Sequence, residues 1–319
     1  MDRNCHNRRG SIAHTQLARA ILILSFAFAG CTQAQQASNP VTTGEDLPVP
    51  GKWVAADHSK LSEHNIEWMQ AQPPQEEAEF LLSAAINHDK GATDWINKLV
   101  DGWHGKLHRT QRWADLQDTA LYSNDLRVRA AAIEINLAVN DLAKTDERAE
   151  RIIHWAESAP GNRPWAAWEL GMLANRGVEL ERIHDLLVTY THAPEQQTRF
   201  WAVEGLAHLG TDETIKDFLD VLRSDVSMEV RERAGCSLAK SGMLTREQRM
   251  KAVSGLIDLS EDNSLNETTR TWVYQALREI TNEPLPNNSA AWRSWYAKFG
   301  AERQQEFKQG DSWAVLGNS

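Results

Sequence analysis

From Pro74 onward, apolar residues recur every three or four positions in segment after segment, with almost no alternation of period two. This pattern predicts a body made of helices. Turn and cap signals interrupt it at Ser123-Asn124-Asp125, Pro160-Gly161-Asn162, Gly210-Thr211-Asp212 and Ser224-Asp225, among others. Segments of roughly ten to sixteen residues joined by short turns must pack as antiparallel neighbours.

The helical pattern repeats. Aligned on Arg129, Arg163, Arg199, Arg231 and Arg270, the chain shows intervals of 34, 36, 32 and 39 residues. Three positions after each Arg stand Ala132, Ala166, Ala202, Ala234 and Val273; seven after stand Asn136, Leu170, Leu206, Leu238 and Leu277. A small residue followed by a large one on the same stripe lets two helices approach closely while the large side chain fills the gap beyond. Each of these helices is preceded by another amphipathic one, such as Ile183 to Val188 or Ile215 to Leu222. The unit is a helical hairpin of about 35 residues.

Within DVSMEVRERAGCSLAKSG, Asp225 is followed six residues later by Arg231, which resembles the HEAT repeat, whose Asp and Arg at that spacing form a ladder between adjacent repeats. SNDLRVRAAAIEI at 123–135 is similar, with the shorter spacing of Asp125 to Arg129, whereas Arg163 has Glu157 six before it. One unit, Trp168-Glu169-Leu170-Gly171, is closer to the tetratricopeptide motif. The HEAT resemblance covers about Trp113 to Thr281. It implies an all-α protein, an α-solenoid of about five HEAT-like hairpins with N- and C-terminal capping helices. On this reading residues 75–112 form the front cap and 113–284 the repeat array. Residues 285–319, with Trp292, Trp295 and Tyr296, form the closing helix and tail.

Before the body lies an address. Arg3, Arg8, Arg9 and Arg19 precede an apolar run from Ala20 to Ala29, which is the layout of a secretory signal peptide and too short for a membrane-spanning helix. Phe28-Ala29-Gly30-Cys31 resembles the lipobox of bacterial lipoproteins, which implies cleavage after residue 30 and lipidation of Cys31. Residues 31–60 then read as a flexible linker rich in Gln, Ser, Thr, Pro and Gly. The residue after the cysteine, Thr32, implies the periplasmic side of the outer membrane in such signals. Membrane contact is expected only through the lipid on Cys31.

Composition narrows the partners. The formal net charge is −10, and residues 1–30 carry four Arg against Asp2, so the rest of the chain is more acidic still. Such a chain repels nucleic-acid phosphates. Mean hydropathy is −0.52, which speaks against an integral membrane body. The 13 Trp outnumber the 4 Tyr and 7 Phe, so many large rings must be buried or presented.

A helical wheel drawn from each Arg locates a candidate binding face. Positions three, seven and ten point to the core, so position five points nearly opposite and is occupied by Glu134, Trp168, Glu204, Cys236 and Gln275. Beside it lie Phe200 at position one and Met172 and His208 at position nine. The expectation is an exposed apolar group of Trp168, Met172 and Phe200, rimmed by Glu134, Glu204 and His208, that binds a protein or peptide partner. Trp165, Trp201 and Trp272, two after their Arg, fall on the flank and read as contacts between units.

Chemistry is hard to find. Nucleophile motifs, phosphate loops and metal pairs are missing from credible settings, and no His-Glu dipeptide occurs. His104 and His108 stand beside Gly102 and Gly105 without a third ligand nearby, and His184 with His192 shows no carboxylate arranged to orient a ring. Cys236 reads as a small packed residue and not a reactive thiol. The reading is therefore a non-catalytic scaffold with no cofactor and no metal. An envelope hydrolase or metal-dependent enzyme on a helical scaffold, and a structural spacer of the cell envelope, are the alternatives.

Overall fold

The computed structural model describes residues 60–316, with side chains through 310. The expected leader, Cys31 and all but the last residue of the expected linker lie outside the described residues. Within them the chain is all-helical, its one β-type pairing being an isolated bridge between Lys60 and Lys90. Three helices come first: α1 (Glu63–Gln70), α2 (Pro74–Ile86) and α3 (Ala92–Leu99), then a 3-10 turn (Val100–Trp103). Helices then alternate in pairs: α4 (Gln111–Leu121) with α5 (Leu126–Val139), α6 (Asp146–Ser158) with α7 (Arg163–Asn175), α8 (Leu180–Tyr190) with α9 (Gln196–Leu209), and α10 (Glu213–Ser224) with α11 (Met228–Ala239). The next leading helix is broken into α12 (Arg246–Met250) and α13 (Val253–Glu261) before α14 (Glu267–Thr281). The last helix, α15 (Ser289–Leu316), packs on α12 and α13 and runs well past residue 300. Its continuation is held by Phe307, buried against the guanidinium of Arg246 at 3.9 Å.

The helix starts follow local chemistry. Thr110, Asp125, Thr145, Thr245 and Asn266 each accept a backbone N–H of the first turn that has no intrahelical partner, and Thr245 with Gln248 completes a reciprocal capping box.

The repeated arginines have a shared local job. In α5, α9, α11 and α14 the Arg is the fourth helical residue, and it reaches back over the preceding turn to a backbone carbonyl. Arg129 donates to Ser123 O, Arg199 to Ala193 O and Pro194 O, Arg231 to Asp225 O, and Arg270 to Leu265 O and Asp262 O. These carbonyls belong to the turn that follows the leading helix, whose backbone acceptors have no helical partner and are satisfied by the guanidinium. Arg163 departs because Pro160 and Pro164 impose a 3-10 turn (Pro160–Asn162) and move the start of α7 up to the arginine itself. Its cation faces Glu195 at 3.9 Å and the ring of Tyr190 at 5.7 Å.

The small-then-large stripe is buried in every unit: Ala132, Ala166, Ala202, Ala234 and Val273, then Asn136, Leu170, Leu206, Leu238 and Leu277. The second helices of successive pairs lie side by side. Their backbones nearly touch at glycines. A Cβ on Gly171 would stand 2.3 Å from the carbonyl oxygen of Gly205, and one on Gly205 would stand 2.4 Å from that of Ala167. Gly242 approaches Ala207 O in the same way, with φ of +75°, and Met243 N–H donates to that oxygen at 2.7 Å.

Candidate interaction face

Trp168, Met172, Glu204 and His208 are all buried, Phe200 is half-buried, and Glu134 is largely covered, its carboxylate held by Arg176 at 2.9 Å and Lys144 at 3.1 Å. The expected exposed patch of Trp168 and Met172 is therefore corrected. The wheel assumed one core direction per helix. In the fold, each of α7 and α9 is packed against its own leading helix and against a second helix on either side. The glycine contacts draw these backbones so close that positions five and nine also fall inside. In addition, α5 meets the end of α11: Arg129 donates to Lys240 O and Gly242 O, and Arg233 donates to the Tyr122 hydroxyl at 3.2 Å. A sequence signal existed, since LRVRAAAIEINLAV and RPWAAWELGMLAN spread apolar residues over most of their circumference, as helices with several packed faces do.

The region does assemble most of the residues singled out in sequence. Trp168 of α7 lies edge-on to Trp201 at 6.4 Å and to His208 at 6.0 Å, both on α9, and 5.0 Å from Trp165 on its own helix. Trp201 meets Phe200 at 5.7 Å. Met172 sulfur accepts from Asn136 of α5 at 2.9 Å. Glu204 is gripped by both Nε and Nη2 of Arg233, each at 2.8 Å, a buried pair joining α9 to α11. The outcome is an aromatic row with Trp168 at its buried centre and Trp165, Trp201 and Phe200 at its half-covered edge. Of the flank tryptophans, Trp201 meets a ring of the neighbouring unit, and Trp165 and Trp201 form the accessible part of the row. The indole N–H of Trp168 is enclosed and finds no acceptor among the described residues. Leaving such a donor dry costs about 1–3 kcal/mol.

Glu169 is the residue that sequence reading passed over. It is buried, accepts the indole N–H of Trp165 one turn away, and burial pushes its carboxyl up to about 7 although that hydrogen bond and the cations of Arg109 and Arg148 pull it down. Arg109 stacks over the Trp165 ring at 4.1 Å. The i, i+4 spacing of Trp165 and Glu169 was visible; the arrival of Arg109 from 56 positions away was not.

Other candidate groups take their places outside this row. His184 does have a carboxylate: Asp217 of α10 lies 2.8 Å from its Nε2, a contact between neighbouring pairs that linear spacing hides. His104 lies 3.6 Å from Asp141. An open groove between α10 and α13 is lined by Asp220, Asp258, Glu261 and Asp262, but three of these carboxylates already pair with Arg223 or Arg293. Among the described residues no three His, Cys, Asp or Glu side chains converge as a metal site, and no helix is long and apolar enough to cross a membrane. Cys31 lies outside the described residues.

The chain matches no protein-family model and no curated protein.

Proposed function

We propose that this chain is an envelope-anchored, HEAT-like scaffold that catalyses nothing and holds a protein or peptide partner through an aromatic edge on its second helices. The observation that carries the binding reading is the half-covered row of Trp165, Phe200 and Trp201, which spans two neighbouring units and is backed by the buried Trp168. Aromatic side chains set over a rigid, packed support are the residue types that dominate binding energy at interfaces. The HEAT-like reading is supported by the recurrent Arg that clasps the turn before its own helix. It is supported also by one rung of the expected ladder, Arg199 to Asp225. Lipidation at Cys31 and a place on the periplasmic face of the outer membrane complete the proposal, on the strength of the lipobox resemblance.

The test compares the full chain with Phe200→Ala and Trp201→Ala in cross-linking from intact envelopes. The expected result is a discrete partner captured by the parent chain and lost in both variants, with helicity unchanged. Equal capture by all three would end the aromatic-edge reading. Stoichiometric metal in the purified chain would favour an enzyme instead.

A further inference from the structure

The segment 104–110 joins the first three helices to the helical pairs, and its side chains are tied down from both directions. His108 N–H donates to Gln75 Oε1 of α2 at 2.8 Å, and Thr110 donates to Glu79 Oε1 of the same helix at 2.6 Å. On the other side Arg109 donates through Nε to Asn140 Oδ1 at 2.9 Å and lays its guanidinium over Trp165. Trp165 in turn donates its indole N–H to Glu169. A cation on the ring's face and an anion at its N–H edge thus meet at Trp165.

We propose that Arg109, Trp165 and Glu169 form a proton-sensitive latch, in which the ionised carboxylate holds the 104–110 segment against α7 and protonation loosens that hold. The chemistry is additive. A carboxylate that accepts the indole N–H raises the electron density of the ring and so strengthens its attraction for the cation on its face. It also attracts Arg109 directly through a poorly solvated region. A neutral carboxyl does neither.

Burial places the titration of Glu169 near neutrality. The charged groups that bear on it are Arg109 from the segment and Arg148 from α6. Three histidines lie on or near the segment: His104, facing Asp141; His108; and His88, 3.7 Å from Asp125. The variants must separate any effect of these rings from that of Glu169. This inference is independent of what the aromatic edge binds.

Hydrogen-exchange protection factors of the amides at Lys106, His108 and Thr110, measured on the full chain from pH 5.5 to 8.5, read the latch directly. All three amides donate in the closed segment. Protection is expected to fall roughly two- to fivefold as pH drops through 7, the scale of one partly solvated cation–π contact. Glu169→Gln keeps an acceptor for the indole and removes the charge; it should show the low-pH protection at every pH. Arg109→Gln should do the same with Glu169 intact. A flat profile in the parent chain would overturn the latch. So would a transition that survives in Glu169→Gln, because it would not belong to that carboxyl.

Discussion

Arg199 forks onto the carboxylate of Asp225, with Nε at 2.8 Å from one oxygen and Nη2 at 3.2 Å from the other, and so links α9 to the turn between the two helices of the next pair. Both side chains are buried, and the same Asp225 also receives the Ser227 N–H while its own carbonyl accepts from Arg231. One aspartate therefore closes its own turn and receives the arginine of the preceding unit. Removing one member leaves the other charged and dry. Arg199→Ala is expected to lose about 3–5 kcal/mol in urea denaturation. A loss below about 1 kcal/mol would class the pair with ordinary surface bridges.

The glycine contacts make a sharper test of the packing. Gly171→Ala sets a methyl 2.3 Å from a backbone oxygen, which no rotamer change relieves, so the helices must separate. A loss of about 3 kcal/mol or more is expected, with a clear fall in melting temperature. Gly161→Ala, where the added methyl meets only open space, serves as the control and should be close to neutral.

Burial of Trp168 predicts a stability effect as well as a binding effect. Trp168→Ala opens a cavity beneath Trp165, Trp201 and His208 and should cost about 3–5 kcal/mol. Were the ring on an open face, as the helical wheel implied, chemical denaturation would register about 0.5 kcal/mol at most.

Glu169 sets a pH dependence with a definite sign. Its carboxyl is raised from the ordinary 4.5 to about 7 in the fold, so the native state holds the proton more tightly than the unfolded chain. The stabilisation from that proton is complete below pH 4.5 and is lost as pH rises through 7. The gap corresponds to about 3 kcal/mol. Glu169→Gln lacks this dependence. Compared with the parent chain it should gain about that much in relative stability between pH 4.5 and pH 8, read from urea midpoints at the two values. Protonation thus relieves the whole fold of a buried charge while it loosens the local hold on Arg109.

Helix content, the five-fold recurrence of the arginine and the buried small-then-large stripe were fixed by the sequence, because each depends on neighbours within one or two turns. Where Pro160 and Pro164 bracket the arginine, local chemistry also explains the exception. Which further faces were covered depended on residues tens of positions apart: Gly171 against Gly205, Ala207 against Gly242, Arg129 against the end of α11. Close backbone approach at these points turned positions five and nine inward, burying Trp168, Met172 and His208 and leaving Phe200 and Trp201 at the edge. The same distance in sequence hid the Asp217 partner of His184 and the stacking of Arg109 on Trp165. A helical wheel describes one helix and its own core; the number of neighbours that enclose a helix is set only when the units pack together, and that packing decided which side chains could meet a partner.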